Sequence, residues 1–309
     1  MIDLEAEAIG DRISERYALE AKLLAGQSAK DVADLAGDPD GIYAYKEARM
    51  FDFIAPLVTC FGDGEWITVG DNGGDARALK RAGVGRVTAS SISAVYLRRL
   101  AGAGQLDQIG VRDLNAEQMD LPDRAVDVLV CKEAYHHFPR APLAFYEFLR
   151  VSRQGFVLIE PVALPRKPLD FVRSLAKMVL RRRGPAYEEF EPVGNFIYRV
   201  SLDEIRRMLT ALQVPWFAVR FFNNFIMRSL LRASRRDRLA MLALGFGIAV
   251  QDVLVWCRLM SPGMAVIFVP TGATGRDCGD RLAQAGFRIV LTAKNPYRPE
   301  DVFRDFYGG

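Results

Sequence analysis

The stretch Val69-Gly70-Asp71-Asn72-Gly73-Gly74-Asp75-Ala76 decides how the rest of the chain is read. It follows an apolar strand-like run, Trp66 to Val69, and opens a helical one, Asp75 to Arg81, so it is a glycine-rich strand-to-helix turn. In an open parallel sheet the first such turn lies beyond the carboxyl ends of the strands, where ligands bind, and its glycines let backbone approach ligand. Gly70, Gly73 and Gly74 miss the spacing of a GxGxxG dinucleotide fingerprint, and no Lys-Ser or Lys-Thr follows to complete a P-loop. Taken by itself, the turn reads either as a ligand site without a phosphate grip or as a plain tight connection.

Outward from the turn, strand-like and helix-like runs alternate: Arg86 to Ala89, Val95 to Ala101, Val126 to Cys131, Pro142 to Val151 and Phe156 to Ile159. This predicts right-handed βαβ units and a parallel sheet covered on both faces. Beyond Pro161 come a basic insertion, a helix over Leu202 to Leu212, a strand over Trp216 to Phe222, an apolar helical region, a strand over Ala265 to Val269, and a helix–strand pair ending at Ala293-Lys294-Asn295-Pro296-Tyr297. Ahead of the turn, Ile9, Ile13, Leu19, Leu23 and Leu24 recur at helical intervals. The expected organisation is a helical cap over 1–61, the first half of an α/β domain over 62–161, a basic, partly helical insertion over 162–200 and a C-terminal half over 201–309.

Of the 309 residues, 50% are hydrophobic and 26% charged, which disfavours a disordered, collagenous or coiled-coil chain. The longest apolar run, Leu239 to Val250, falls short of the roughly 20 residues that span a bilayer and reads as a buried helix. The N-terminus, MIDLEAEAIGDRISER, is acidic and unlike a secretory signal, so a cytoplasmic protein is expected. Cys60, Cys131, Cys257 and Cys278 form no CxxC pair and have only His136 and His137 as imidazole partners; buried thiols are expected rather than a metal site. Net charge is +3, yet residues 161–240 hold 16 Lys and Arg against 7 Asp and Glu, a local surplus suited to an anionic partner.

From Trp66 to Pro161 the chain resembles the class I S-adenosylmethionine-dependent methyltransferases. The glycine turn is followed, in that family's order, by Val87-Thr88-Ala89-Ser90-Ser91-Ile92-Ser93 and Asn115-Ala116-Glu117-Gln118-Met119-Asp120-Leu121-Pro122. Then come Val126 to Glu133, the string Ala134-Tyr135-His136-His137-Phe138, Phe145 to Val151 and Phe156 to Pro161. The resemblance implies a Rossmann-like, mostly parallel sheet of seven strands, S-adenosylmethionine as cofactor and methyl transfer as the reaction.

By that resemblance, Gly70 and Gly74 pass close to the cofactor's methionine part and ribose, since a side chain there would fill ligand space. Asn115 would accept from the adenine amino group and the Ala116 N–H meet a ring nitrogen; an Asx turn is the other reading of Asn115. The family's second strand ends in a ribose-binding carboxylate where this chain has Ser90-Ser91, and its first strand often carries an acid where this chain has Thr68. Either cofactor affinity is then weak, or Asp71, Asp75 or Glu117 compensates. Arg49, on the helix preceding the first strand, would hold the methionine carboxylate or stand as a solvated helix residue.

Lys132, Glu133, Tyr135, His136 and His137 follow the fourth strand, where the family places residues between donor and acceptor. Glu133 and His136 are the candidate bases for a hydroxyl acceptor, against a purely packing role for the histidines. The expected substrate is a small molecule, sugar or lipid-linked glycan intermediate; a fold that binds the cofactor without methylating, or a binding protein using the basic surface, are the rival readings. In the insertion, Phe171, Leu175, Met178 and Val179 form one helix face beside Arg181, Arg182 and Arg183. That face would pack on the sheet as a substrate lid or rest on an anionic membrane surface. No nucleic-acid module is present, so RNA or DNA is not expected.

Overall fold

The structure is a computed structural model that describes residues 15, 18, 40–181, 189–190, 196–224, 230, 233–272 and 276–297, with backbone only at 43 and 176–181. Most of the expected cap, the side chains of Met178, Val179 and Arg181, and Arg182 and Arg183 lie outside the described residues.

Helices α1 (Ile42–Asp52) and α2 (Ala55–Phe61) lead into β1 (Glu65–Val69), α3 (Gly74–Arg81), β2 (Arg86–Ser91), α4 (Val95–Gly102) and β3 (Ile109–Asp113). Next come β4 (Val126–Lys132), a 3-10 turn over Tyr135–His137, α5 (Ala141–Val151) and β5 (Ser152–Pro161). The C-terminal part holds α6 (Pro168–Arg181), α7 (Leu202–Ala211), β6 (Trp216–Phe222), α8 (Arg238–Trp256), β7 (Met264–Pro270), α9 (Arg276–Gln284) and β8 (Arg288–Leu291).

One sheet runs in the order β3-β2-β1-β4-β5-β7-β6-β8. Its β3 to β5 half is parallel, and β7 enters antiparallel to β5 and β6. The sheet has eight strands rather than seven, because β8 adds an antiparallel edge beside β6, with Trp216 opposite Leu291. The central strands are apolar on both faces, as parallel strands between helix layers must be. In β4, Val128 and Val130 face one core with Trp66, Leu79 and Phe268, while Leu129 and Cys131 face another with Phe145, Phe148 and Phe156.

Three expectations fail on burial. The apolar run from Leu239 belongs to α8, which extends through 19 residues to Trp256 and is long and apolar enough to cross a membrane by length and composition. It is not a buried helix: among its residues only Ala240, Leu244 and Gly247 are buried. Nor does α6 pack its Phe171 and Leu175 on the sheet, since these are 62% and 47% exposed; its start is drawn instead to the turn after α8, where Leu169 N donates to Leu259 O. The cysteines are free, but Cys257 is exposed and Cys60 half-buried.

Candidate functional site

The glycine turn is built around Asp71. Its Oδ1 accepts from Gly73 N (2.6 Å) and Asp75 N (3.2 Å), and its Oδ2 from Ala76 N (2.9 Å) and Thr68 Oγ1 (2.7 Å). The carboxylate thus satisfies the orphan N–H groups that start α3, and Thr68 serves it from β1. Amides that would cradle a phosphate in a nucleotide site are already bound by this internal anion, a physical reason why the turn is no P-loop. Asp71 is therefore engaged as a loop clamp. Gly70 is required by geometry: its φ is +71°, and a Cβ would stand 2.4 Å from that of Ala134. A Cβ on Gly74 would meet only Asn72 Oδ1, at 3.0 Å.

Beside the turn, five charged side chains converge from α1, α3 and the end of β4. Lys132 Nζ lies 2.7 Å from Glu47 Oε2 and 3.3 Å from both Asp75 Oδ1 and Glu133 Oε2; Lys46 Nζ is 3.7 Å from Glu47 Oε1 and 3.8 Å from Glu133 Oε1. Burial pushes the Asp75 carboxyl well above its usual range, against the pull of Lys132. For Lys132, burial alone would lower the value, but Asp75, Glu47 and Glu133 together hold the ammonium well above normal. Burial likewise opposes ionisation of Glu133, and Lys132 and Lys46 outweigh it, leaving the carboxyl below its usual value. Glu133 also sits at φ +49°, an uncommon conformation for a side-chain-bearing residue.

The ends of β2 and β3 form the flank of this edge. Ser90 is buried with Oγ donating to Thr68 O (2.6 Å), so its hydroxyl serves the sheet. Ser91 closes β2 opposite Asp113, whose carboxylate accepts from Ala94 N (2.7 Å) and pairs with Arg98. Asn115 makes the Asx turn, its Oδ1 accepting from Glu117 N (3.0 Å), and Ala116 is buried beside it. Glu117 turns away to bind Arg140 N and Nε, both at 2.6 Å. Arg49 likewise points elsewhere, its Nη1 donating to Asn223 O at 3.4 Å.

Behind the strand ends stands Glu160, with no exposed surface. One oxygen accepts from Ala134 N and Tyr135 N, each at 2.8 Å; the other meets His136 Nδ1 at 2.6 Å. A carboxylate on Nδ1 fixes the tautomer, so Nδ1 carries the hydrogen and Nε2 is the acceptor. The His137 ring lies tilted against that of His136, with centroids 4.1 Å apart.

With this geometry in view, residues 67–159 match the family model described as "Methyltransferase domain". That stretch is similar to methyltransferase domains. No curated protein matches the chain. Among solved structures, the magnesium protoporphyrin IX methyltransferase of Synechocystis PCC 6803 is 13% identical over 82% of this chain and 99% of its own, with a TM-score of 0.49. The YcgJ protein of Bacillus subtilis is 18% identical over 72% and 97%, with a TM-score of 0.47.

The charged residues beside the glycine turn, with those of α1, would suit a zwitterionic ligand such as S-adenosylmethionine. Glu47 Oε1 is buried without a hydrogen bond, an acceptor suited to the ammonium of S-adenosylmethionine. Lys46 and Lys132 would face its carboxylate, a side chain on Gly74 would meet only Asn72, and Ser91 and Ala116 stand at the neighbouring strand ends. Sequence reasoning missed Lys46, Glu47 and Glu160. Glu160 carried a signal, since an acid directly after the apolar run Phe156 to Ile159 and before Pro161 must be either exposed or fully hydrogen-bonded. The ion pairs of α1 carried none.

Proposed function

We propose that the protein transfers a methyl group to a hydroxyl of a small molecule, sugar or lipid-linked glycan intermediate, with His136 as the base. The observation that carries this reading is the Glu160–His136 pair immediately after β4: a buried carboxylate holds Nδ1–H and leaves Nε2 to take the hydroxyl proton. The sulfonium of S-adenosylmethionine supplies an activated methyl, so orienting the acceptor and removing its proton are what remain for the protein. Glu133, held ionised by two lysines, is a weak proton acceptor near neutral pH and serves this site as a fixed negative charge facing the donor. Glu160 balances the positive charge that His136 acquires.

The second reading, a fold that binds the cofactor without methylating, is favoured by Ser91 in place of a ribose-binding carboxylate. Calorimetry with S-adenosylmethionine and S-adenosylhomocysteine, followed by detection of S-adenosylhomocysteine released over a panel of hydroxylated small molecules, sugars and lipid-linked saccharides, separates the two. Cofactor binding with release that is lost in His136→Ala supports methyl transfer; binding with no release from any acceptor supports the second reading. Absence of binding at millimolar ligand removes both.

A further inference from the structure

The exposed surface of α8 is apolar apart from Arg238 and Asp252. Leu239, Leu242, Phe246, Val253 and Trp256 are 78%, 68%, 73%, 57% and 83% exposed. The only charged residues of the helix are Arg238, at its first position, and Asp252, whose Oδ1 accepts from Asn223 Nδ2 at 2.8 Å. Soluble proteins rarely leave such a strip open to water. Beside it, α6 exposes Phe171, Val172 and Leu175, and its N-terminal end is bound to the turn after α8 through Leu169 N to Leu259 O and Ser261 N to Asp170 Oδ2, both 3.0 Å.

Topology determines how such a helix can meet a bilayer. The segment between β6 and β7 leaves after Phe222 and returns at Met264, which are paired neighbours in the sheet. Because the N-terminal end of α8 is held against Ile42, a crossing α8 would leave residues 257–263 to bring the chain back alone. Fully extended they reach about 25 Å, short of the roughly 30 Å hydrocarbon core. Both ends of the helix are also held on the protein. Ala240 and Leu244 pack on Ile42, Ile42 N donates to Ala233 O (3.0 Å), and Gly263 N donates to Asn223 Oδ1 (3.3 Å). A helix fixed in this way lies in the plane of an interface with one face immersed.

Charge completes the match. Arg235, Arg236 and Arg238 precede or open α8, Arg258 follows it, and Arg166 and Arg173 flank the exposed residues of α6; all six are exposed. They belong largely to the stretch with 16 basic against 7 acidic residues. An apolar strip ending in an exposed tryptophan and bordered by arginines has the composition of an interfacial anchor for anionic lipid.

We propose that α8, with the start of α6, docks the protein peripherally on an anionic lipid bilayer. Both insertions leave the sheet at the edge that carries Gly74 and Lys132, because Lys132 pairs with Ile159, and Pro161 and Phe222 both pair with Met264. Docking therefore brings that edge to the membrane. If the methyl-transfer reading holds, a lipid-linked acceptor is the substrate class that this placement favours.

The test is binding of the full chain to phosphatidylcholine vesicles with and without phosphatidylglycerol, read by co-sedimentation and by tryptophan emission, and it needs no activity. Co-sedimentation with the phosphatidylglycerol vesicles is expected, with a blue shift and quenching of Trp256 by bromine-labelled lipid chains. A Phe246→Ser, Trp256→Ser double variant should bind about tenfold more weakly or worse with an unchanged urea midpoint, since both side chains are exposed. An Arg238→Ser, Arg258→Ser variant should lose preference for anionic vesicles and salt sensitivity. Wild-type protein left in the supernatant with both vesicle types overturns the proposal. So does a dimer that Phe246→Ser dissolves, which would make a second copy the occupant. Trp256 already shielded from acrylamide before vesicles are added also overturns it, placing a segment such as residues 1–39 over the face.

Discussion

His136 Nδ1 lies 2.6 Å from Glu160 Oε2, and Glu160 Oε1 holds the backbone N–H groups of Ala134 and Tyr135. One carboxylate from β5 thereby fixes the turn that follows β4 and the protonation pattern of the histidine in it. Glu160→Gln keeps the volume and can still accept both backbone hydrogens. Its amide then faces Nδ1, which must accept, and the imidazole proton moves to Nε2. Turnover is expected to fall about 10²- to 10⁴-fold while S-adenosylhomocysteine affinity stays within about twofold. Steady-state kinetics beside imidazole nitrogen shifts would check this; wild-type turnover in the variant removes His136 as the base.

Glu133 gives a pH dependence with a definite sign. Its folded carboxyl titrates below the ordinary value of 4.5, so on acidification the unfolded chain takes up the proton first. The stability it contributes is complete above that ordinary value and is lost as pH falls through the lower folded one. Between about pH 6 and pH 3 the urea midpoint of the wild type should fall more steeply than that of Glu133→Gln. Parallel curves would show that the lysines do not hold this charge.

Two glycines of one turn should respond differently. Gly70→Ala forces a Cβ into Ala134 at a left-handed backbone position and should cost about 2–3 kcal/mol. Gly74→Leu meets only the Asn72 amide oxygen, so the fold should survive while S-adenosylhomocysteine affinity is lost. Thermal unfolding and calorimetry on both variants decide it. Undiminished binding in Gly74→Leu would place the cofactor away from this turn.

Ser91→Asp restores an acidic end to β2 and should leave S-adenosylhomocysteine affinity unchanged or tighter, because a carboxylate accepts from both ribose hydroxyls. The ligand-free variant should unfold at slightly lower urea, since the new charge stands opposite Asp113 in the neighbouring strand. A collapse in affinity would mean that Ser91 faces something other than ribose.

The sequence by itself determined the central α/β framework and the turns at its strand ends. Two-sided apolar strands such as Val126 to Cys131, alternating with helical runs, admit one kind of sheet, and strand-end turns can be read locally. Gly70 and the Asn115 Asx turn belong to that local class, because their partners lie within a few residues or on the adjoining strand, whereas Asp71, expected to compensate at the ribose, instead clamps the loop. Only the tertiary structure decided which charges meet. Lys46 and Glu47 reach Lys132 from a helix more than eighty positions earlier, and Glu160 reaches His136 from the next strand, through distances that no spacing rule encodes. The same holds for α8: its apolar run was legible, but its burial depends on what lies opposite. The sheet's helix layers are filled by other elements, leaving Phe246 and Trp256 facing out.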